Sequence, residues 1–111
     1  MSDCIFCKII SGDIPSKKLY EDDTVLVFHD IQPKAPVHFL LIPKMHISGV
    51  SGVTAENSAI IAHIYEIISE LTAELGLEHY RVITNNGEQA GQTVFHLHFH
   101  VLGGKLLGEM G

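Results

Sequence analysis

Three histidines stand at alternate positions in the segment Phe95-His96-Leu97-His98-Phe99-His100-Val101-Leu102. Successive side chains of an extended strand point to opposite faces, so His96, His98 and His100 are expected on one face and Leu97, Phe99 and Val101 on the other. Alternate residues lie roughly 6.6 Å apart along a strand, close enough for neighbouring imidazoles to share a ligand the size of a phosphate. Histidine is a minor residue on average, and this spacing reads as chemistry rather than as a polar outer face. Two reactions fit such a face. His-x-His with a third histidine can hold a catalytic zinc that keeps one position open for water. Alternatively, a neutral imidazole attacks phosphorus, a second group orients the nucleophile and a third protonates the departing amine or oxygen. An unperturbed imidazole pKa of about 6.5 suits those duties at neutral pH. A second motif, Cys4-x-x-Cys7, is compatible with reduced core thiols, a redox pair or half of a metal site.

The elements that would position these residues can be read from the rest of the chain. Leu19-Tyr20, Thr24 to His29 and His38 to Pro43 are apolar and β-branched or aromatic runs, separated by Glu21-Asp22-Asp23 and by a loop holding Pro33 and Pro36. They predict an antiparallel meander. Tyr80 to Thr84 and Phe95 to Leu102 predict two further strands. The clearest helix is expected from Thr54 to Leu75, with Ile60, Ile61, Ile64, Ile67, Ile68, Leu71 and Leu75 three and four apart. Thr54 is placed to cap it, Glu56 to sit at its positive end and Gly76 to terminate it in the left-handed conformation. Ile5 to Ile10 suggest a short helix stopping near Gly12. The loop from Asn85 to Thr93 is polar and glycine-containing, a composition that allows tight turns and close approach of a ligand to the backbone. Strands grouped around one main helix argue for an α+β fold, a single domain spanning 1–111.

Composition narrows the functional classes. With 46% apolar and 18% charged residues the chain is globular in character. Thirteen acidic side chains against seven Lys and Arg give a net charge of -6, which repels a long polyanion, so nucleic acid is not expected as a partner. One phosphate can still be held by backbone N–H groups, hydroxyls and imidazoles. No apolar run approaches the roughly 20 residues that span a bilayer, and the N-terminus has no basic and apolar leader pattern, so a cytoplasmic protein is expected. Two closely spaced cysteines are no disulfide framework.

At His96 to Leu102 the chain resembles the histidine triad family, whose signature of His, apolar, His, apolar, His, apolar, apolar it matches in full. Similarity continues through Cys4-Ile5-Phe6-Cys7-Lys8-Ile9-Ile10, Phe28-His29-Asp30-Ile31, Ala35-Pro36, His38 to Lys44, Asn85 and Gly91-Gln92-Thr93. Gly103-Gly104 after the triad favours the Hint branch over the diadenosine-polyphosphate hydrolases, which remain an alternative. The resemblance implies a purine nucleoside phosphoramidase acting on AMP-amine or aminoacyl-adenylate substrates through a nucleotidyl-histidine, with no organic cofactor. His98 would be the nucleophile and His38 would lie next to it. His100 and Thr93 would contact the phosphate and the leaving group, and Asn85 and Gly91 would complete the pocket. Asp30 would accept from the ribose hydroxyls, although an Asx turn explains an Asp there equally well. Phe6, Ile9, Ile14, Phe28 and Ile31 would wall the purine; taken alone, those five read as core. Thr93 stands where the Hint branch more often has Ser, and its extra methyl would narrow the leaving-group pocket.

Some bacterial members that the N-terminus resembles bind a structural zinc, which implies the set Cys4, Cys7, His46 and His96, a closed tetrahedral Cys2His2 arrangement. The family also implies a homodimer joined through the long helix and the Tyr80 to Thr84 strand. A nucleotide-binding regulator and a three-histidine zinc hydrolase are the other functional readings the residues allow. His29, His63 and His79 match no family role and are expected at the surface or an interface.

Overall fold

The computed structural model describes residues 4–109. Residues 1–3, on which the reading of the N-terminus partly rests, and residues 110–111 lie outside the described residues. The elements run α1 (Ile5–Ser11), β1 (Lys18–Glu21), β2 (Val25–His29), β3 (Val37–Pro43), α2 (Ser58–Glu74), β4 (Tyr80–Ile83) and β5 (Phe99–Gly103), with 3-10 turns at Val50–Gly52 and Glu88–Ala90. The five strands form one sheet in the order β1-β2-β3-β5-β4, every neighbouring pair antiparallel. The expected α+β class, strand number and two helices are all present.

Both faces of the sheet's centre are covered, which is why β2 and β3 read as near-continuous apolar runs instead of alternating ones. Val25 and Val27 of β2 and Phe39 and Leu41 of β3 pack on one side with Ile64, Ile67, Ile68 and Leu71 of α2. The intervening Leu26, Phe28, Leu40 and Ile42 pack on the other side under Phe6 and Ile9 of α1. The period of two thus assigns His38, two residues before Leu40, to the α1 side.

Three expectations shift in detail. The long helix begins at Ser58, not Thr54. Residues 54–57 close a turn in which the Thr54 hydroxyl accepts from the Glu56 N–H at 3.2 Å and the Thr54 N–H donates to Asn57 Oδ1 at 2.7 Å. Thr54 therefore caps this turn, Glu56 precedes the helix, and Asn57 is the N-cap without a side-chain cap bond. At the other end Leu75 is largely exposed and outside the core, while Gly76, at φ +69°, ends the helix as expected.

The histidine strand is shorter than expected, starting at Phe99 instead of Phe95. Upstream of it, ladder bonds give way to others: the Leu97 N–H donates to the Ile47 carbonyl, and His96 Nε2 takes the Pro43 carbonyl at 2.8 Å. The alternation survives this peeling away, because Leu97, Phe99 and Val101 all enter the α2-side core.

Candidate active site

His98 is buried, and its Nδ1 lies 2.7 Å from the His96 carbonyl oxygen. A carbonyl only accepts, so the proton sits on Nδ1 and the Nε2 lone pair is left for another partner. Burial holds the His98 pKa below its ordinary value, which keeps the ring neutral at pH 7. Phe6 of α1 stands edge-on against the ring, centroids 5.0 Å apart, and fixes its tilt. The outcome is an oriented neutral imidazole with an available nitrogen, set by its own backbone and by α1.

His38 does not lie next to His98, contrary to expectation; it meets His100. Leu102 is the cross-strand partner of His38, and Leu40 that of His100, so the two histidines are diagonal neighbours on one face. His38 Nδ1 accepts the Lys34 N–H at 3.0 Å, which puts its proton on Nε2. Nε2 then donates to His100 Nδ1 at 3.0 Å, with Asp30 Oδ2 at 3.3 Å beside it. The His100 proton is thereby assigned to Nε2, on a ring centred 5.1 Å from that of His98. Burial and the adjacent imidazoles push the His100 pKa down to about 4, and burial lowers that of His38. The chain Lys34 N–H, His38, His100 is a one-way relay of hydrogen bonds ending in a donor beside His98.

Asp30 divides its carboxylate: Oδ1 accepts the Gln32 N–H at 2.7 Å, the Asx turn foreseen from sequence, and Oδ2 faces His38. A cleft of about 290 Å³ opens here, lined by Asp30, Lys34, His38, Asn85 and His100 among others. Gly91, at φ +101°, turns the chain against Asn85. Thr93 is not brought into that cleft; it lines a separate one with Cys4, Ile5, Val94 and Phe95. Of the five apolar candidates, Phe6, Ile9 and Phe28 are buried and Ile14 packs against them, whereas Ile31 is 88% exposed and stands away from the cluster. Sequence reasoning gave no role to Gln92, a buried side chain that ties the 85–93 loop in place; a single glutamine in a polar loop carries no signal of that kind. It also missed that His63 pairs with Asp22 at 2.7 Å, fastening α2 to the β1–β2 turn.

Two groups of side chains converge tightly enough to hold a metal ion among the described residues. Cys4, Cys7, His46 and His96 bring their donor atoms within 4.8 Å of one another. The sulfur-to-nitrogen separations are 3.4 Å (Cys4 to His96), 3.4 Å (Cys7 to His46) and 3.6 Å (Cys7 to His96). A tetrahedral zinc, with Zn–S near 2.3 Å and Zn–N near 2.0 Å, requires such edges to be about 3.5 Å. His96 Nε2 donates to the Pro43 carbonyl, so Nδ1 presents its lone pair to both thiols, the outer-sphere arrangement typical of a ligating histidine. The donor set fits zinc. The second group, Asp30, His38 and His100, does not, because the only proton of His38 is on the nitrogen that would have to ligate. The three triad imidazoles do not converge either: His96 Nδ1 faces the thiols and His98 Nδ1 faces the His96 carbonyl. A catalytic zinc shared by His96, His98 and His100 is ruled out by these orientations.

The fold recurs in known proteins. The HIT domain profile matches residues 11–106. An uncharacterized HIT-like protein of Synechocystis is 48% identical over 104 residues, covering 93% of this chain and 91% of that one. The structure of a HIT family hydrolase from Clostridium thermocellum superposes with a TM-score of 0.94 at 46% identity, covering 99% of this chain and 97% of the other. That of a histidine triad nucleotide-binding protein from Candida albicans gives 0.81 at 36% identity, covering 98% and 86%. By profile, sequence and structure alike, this chain belongs to the HIT domain family.

Proposed function

We propose that the chain is a purine nucleotide hydrolase of the Hint type, cleaving the P–N bond of AMP-amine or aminoacyl-adenylate substrates by covalent catalysis at His98. The observation that carries this reading is the tautomer of His98: Nδ1–H bound to the His96 carbonyl, Nε2 free and the ring neutral. Attack of Nε2 on the α-phosphorus forms an N–P bond as the P–N bond to the amine breaks. Positive charge that develops on the imidazole is stabilised by the carbonyl already accepting from Nδ1. His100 Nε2–H, oriented through His38, donates a hydrogen bond to a phosphoryl oxygen, and the departing nitrogen takes up a proton from solvent that the later attack of water gives back. Water then breaks the His98–P bond, releasing AMP and restoring the neutral ring. Asn85 and the Gly91 turn border the phosphate and Asp30 the ribose, and the apolar wall is Phe6, Ile9, Ile14 and Phe28; Thr93, in the neighbouring cleft, and exposed Ile31 are assigned no contact with the substrate.

Cys4, Cys7, His46 and His96 are assigned to a structural zinc, which fastens α1 to the start of the triad segment and supplies no group to the reaction. The chain is further assigned as a homodimer, supported by the unpaired outer edge of β4 and by half-exposed Tyr65 on α2.

The test is mass spectrometry after brief mixing with an adenosine phosphoramidate and quenching at neutral pH. An AMP adduct mapped to His98, absent in His98→Asn and insensitive to chelator, is the expected result. Turnover with no adduct would overturn the covalent mechanism.

A further inference from the structure

Gln92 plays no part in the reaction as proposed, yet nearly all of its hydrogen-bonding capacity is engaged. Its side chain is 3% exposed. Oε1 accepts the Gly87 N–H at 2.7 Å, while Nε2 donates to the Ser48 carbonyl at 2.8 Å and to the Val94 carbonyl at 3.0 Å. The Gln92 backbone N–H also donates to the Gly87 carbonyl at 3.1 Å, so Gly87 and Gln92 exchange two hydrogen bonds and close the stretch between them into a ring. The Nε2 bonds then fix that ring in space, one to the segment following β3 and one to the chain leading into His96 and His98. A second stitch lies alongside, where Asn86 Oδ1 accepts the Ser51 N–H at 2.9 Å. The seam is close-packed: a Cβ on Gly49 would stand 2.6 Å from Asn86 Oδ1 and 3.4 Å from Gln92 Oε1.

This loop holds Asn85, Gly91 and Thr93, and beyond one 3-10 turn it has no regular structure to fix their distance from His98 and His100. We propose that Gln92 is a positioning residue for phosphate recognition, acting through the Gly87 and Val94 hydrogen bonds to hold the 85–93 loop against the triad. The inference rests on the nucleotide reading given above. It makes a division that a merely structural role does not make: α1, β2 and the Asp30 turn, which border base and ribose, have no hydrogen bond to Gln92, so its loss affects the phosphate alone.

The experiment compares AMP and adenosine binding by calorimetry, with kcat and KM for an adenosine phosphoramidate, in wild type, Gln92→Glu and Gly49→Ala. Glu keeps the acceptor for Gly87 but loses both donors and sets a carboxylate against two carbonyls. Alanine at position 49 presses on the same seam from the other side and leaves Gln92 unchanged, which keeps the test usable if the buried carboxylate prevents folding. Displacing the loop by about 1 Å is expected to weaken AMP about tenfold and lower kcat on the order of 10- to 100-fold, with adenosine affinity changed less than about twofold. AMP and adenosine weakened equally, or neither affected, would overturn the inference while leaving the nucleotide reading intact. A wild-type protein that binds neither ligand would overturn the nucleotide reading itself, and the inference with it.

Discussion

Lowering the pH tests the neutral histidine relay through stability. His100 titrates at about 4 in the folded protein, against about 6.5 for an unfolded-chain imidazole. Between those values the unfolded chain takes up a proton that the folded site refuses. The stabilisation is therefore complete above about pH 6.5 and is lost as pH falls toward 4, by up to about 1.4 kcal/mol per pH unit. Integrated from pH 7.5 to 4.5, His100 alone accounts for about 2.5 kcal/mol. His38, also lowered by burial and hydrogen-bonded to it, acts in the same direction, so the pair titrates as a unit. In His100→Asn the titrating group is gone. At pH 7.5 the variant loses about 1 to 2 kcal/mol, because the His38 Nε2–H no longer has its imidazole acceptor. Between pH 7.5 and 4.5 its stability falls about 2.5 kcal/mol less than that of wild type, and the two curves converge or cross. Urea unfolding at a series of pH values measures both effects, and carboxylates and the Cys2His2 cluster, present in both proteins, cancel in the difference. A variant whose stability declines with acid as steeply as wild type would refute the claim that the site excludes the proton.

Phe6→Ala removes a ring packed on Phe28, His96 and His98, and is expected to cost about 3 to 5 kcal/mol in denaturant unfolding; Phe6→Leu should recover most of that stability but not the AMP affinity, since the edge-on contact with His98 is lost. Cys7→Ser, purified beside wild type from metal-replete cells, should lower the zinc measured by plasma mass spectrometry from about one ion per chain to a small fraction. Its melting temperature should drop while the His98 adduct still forms; a metal-free wild type would remove zinc from the account.

Much of the fold was legible in local pattern. The period of two in Leu97, Phe99 and Val101 and the three-and-four spacing from Ile60 to Leu71 each assign a buried face without knowledge of the partner surface, and Gly12 and Gly76 end the helices where no other residue adopts positive φ without cost. The Thr54 cap was misread because Thr54 and Asn57 are equally good capping residues, and three-dimensional competition for the Thr54 N–H settled their order. Cys4, Cys7, His46 and His96 were legible as neighbours, whereas the partner of His38, His100 and not His98, was not.

The sequence by itself determined the chemistry on offer: imidazoles at alternate positions, a pair of thiols and a glycine-containing loop, on a chain of net negative charge. Tertiary structure decided how each imidazole is used. Four histidines of one residue type receive three different tasks, because a ring's proton follows whichever carbonyl or N–H the fold sets against it. The His96 carbonyl leaves the His98 Nε2 lone pair free, the Pro43 carbonyl turns the His96 Nδ1 toward the thiols, and the Lys34 N–H makes His38 a donor to His100. Those partners come from up to 62 positions away along the chain, a distance over which no local pattern carries information.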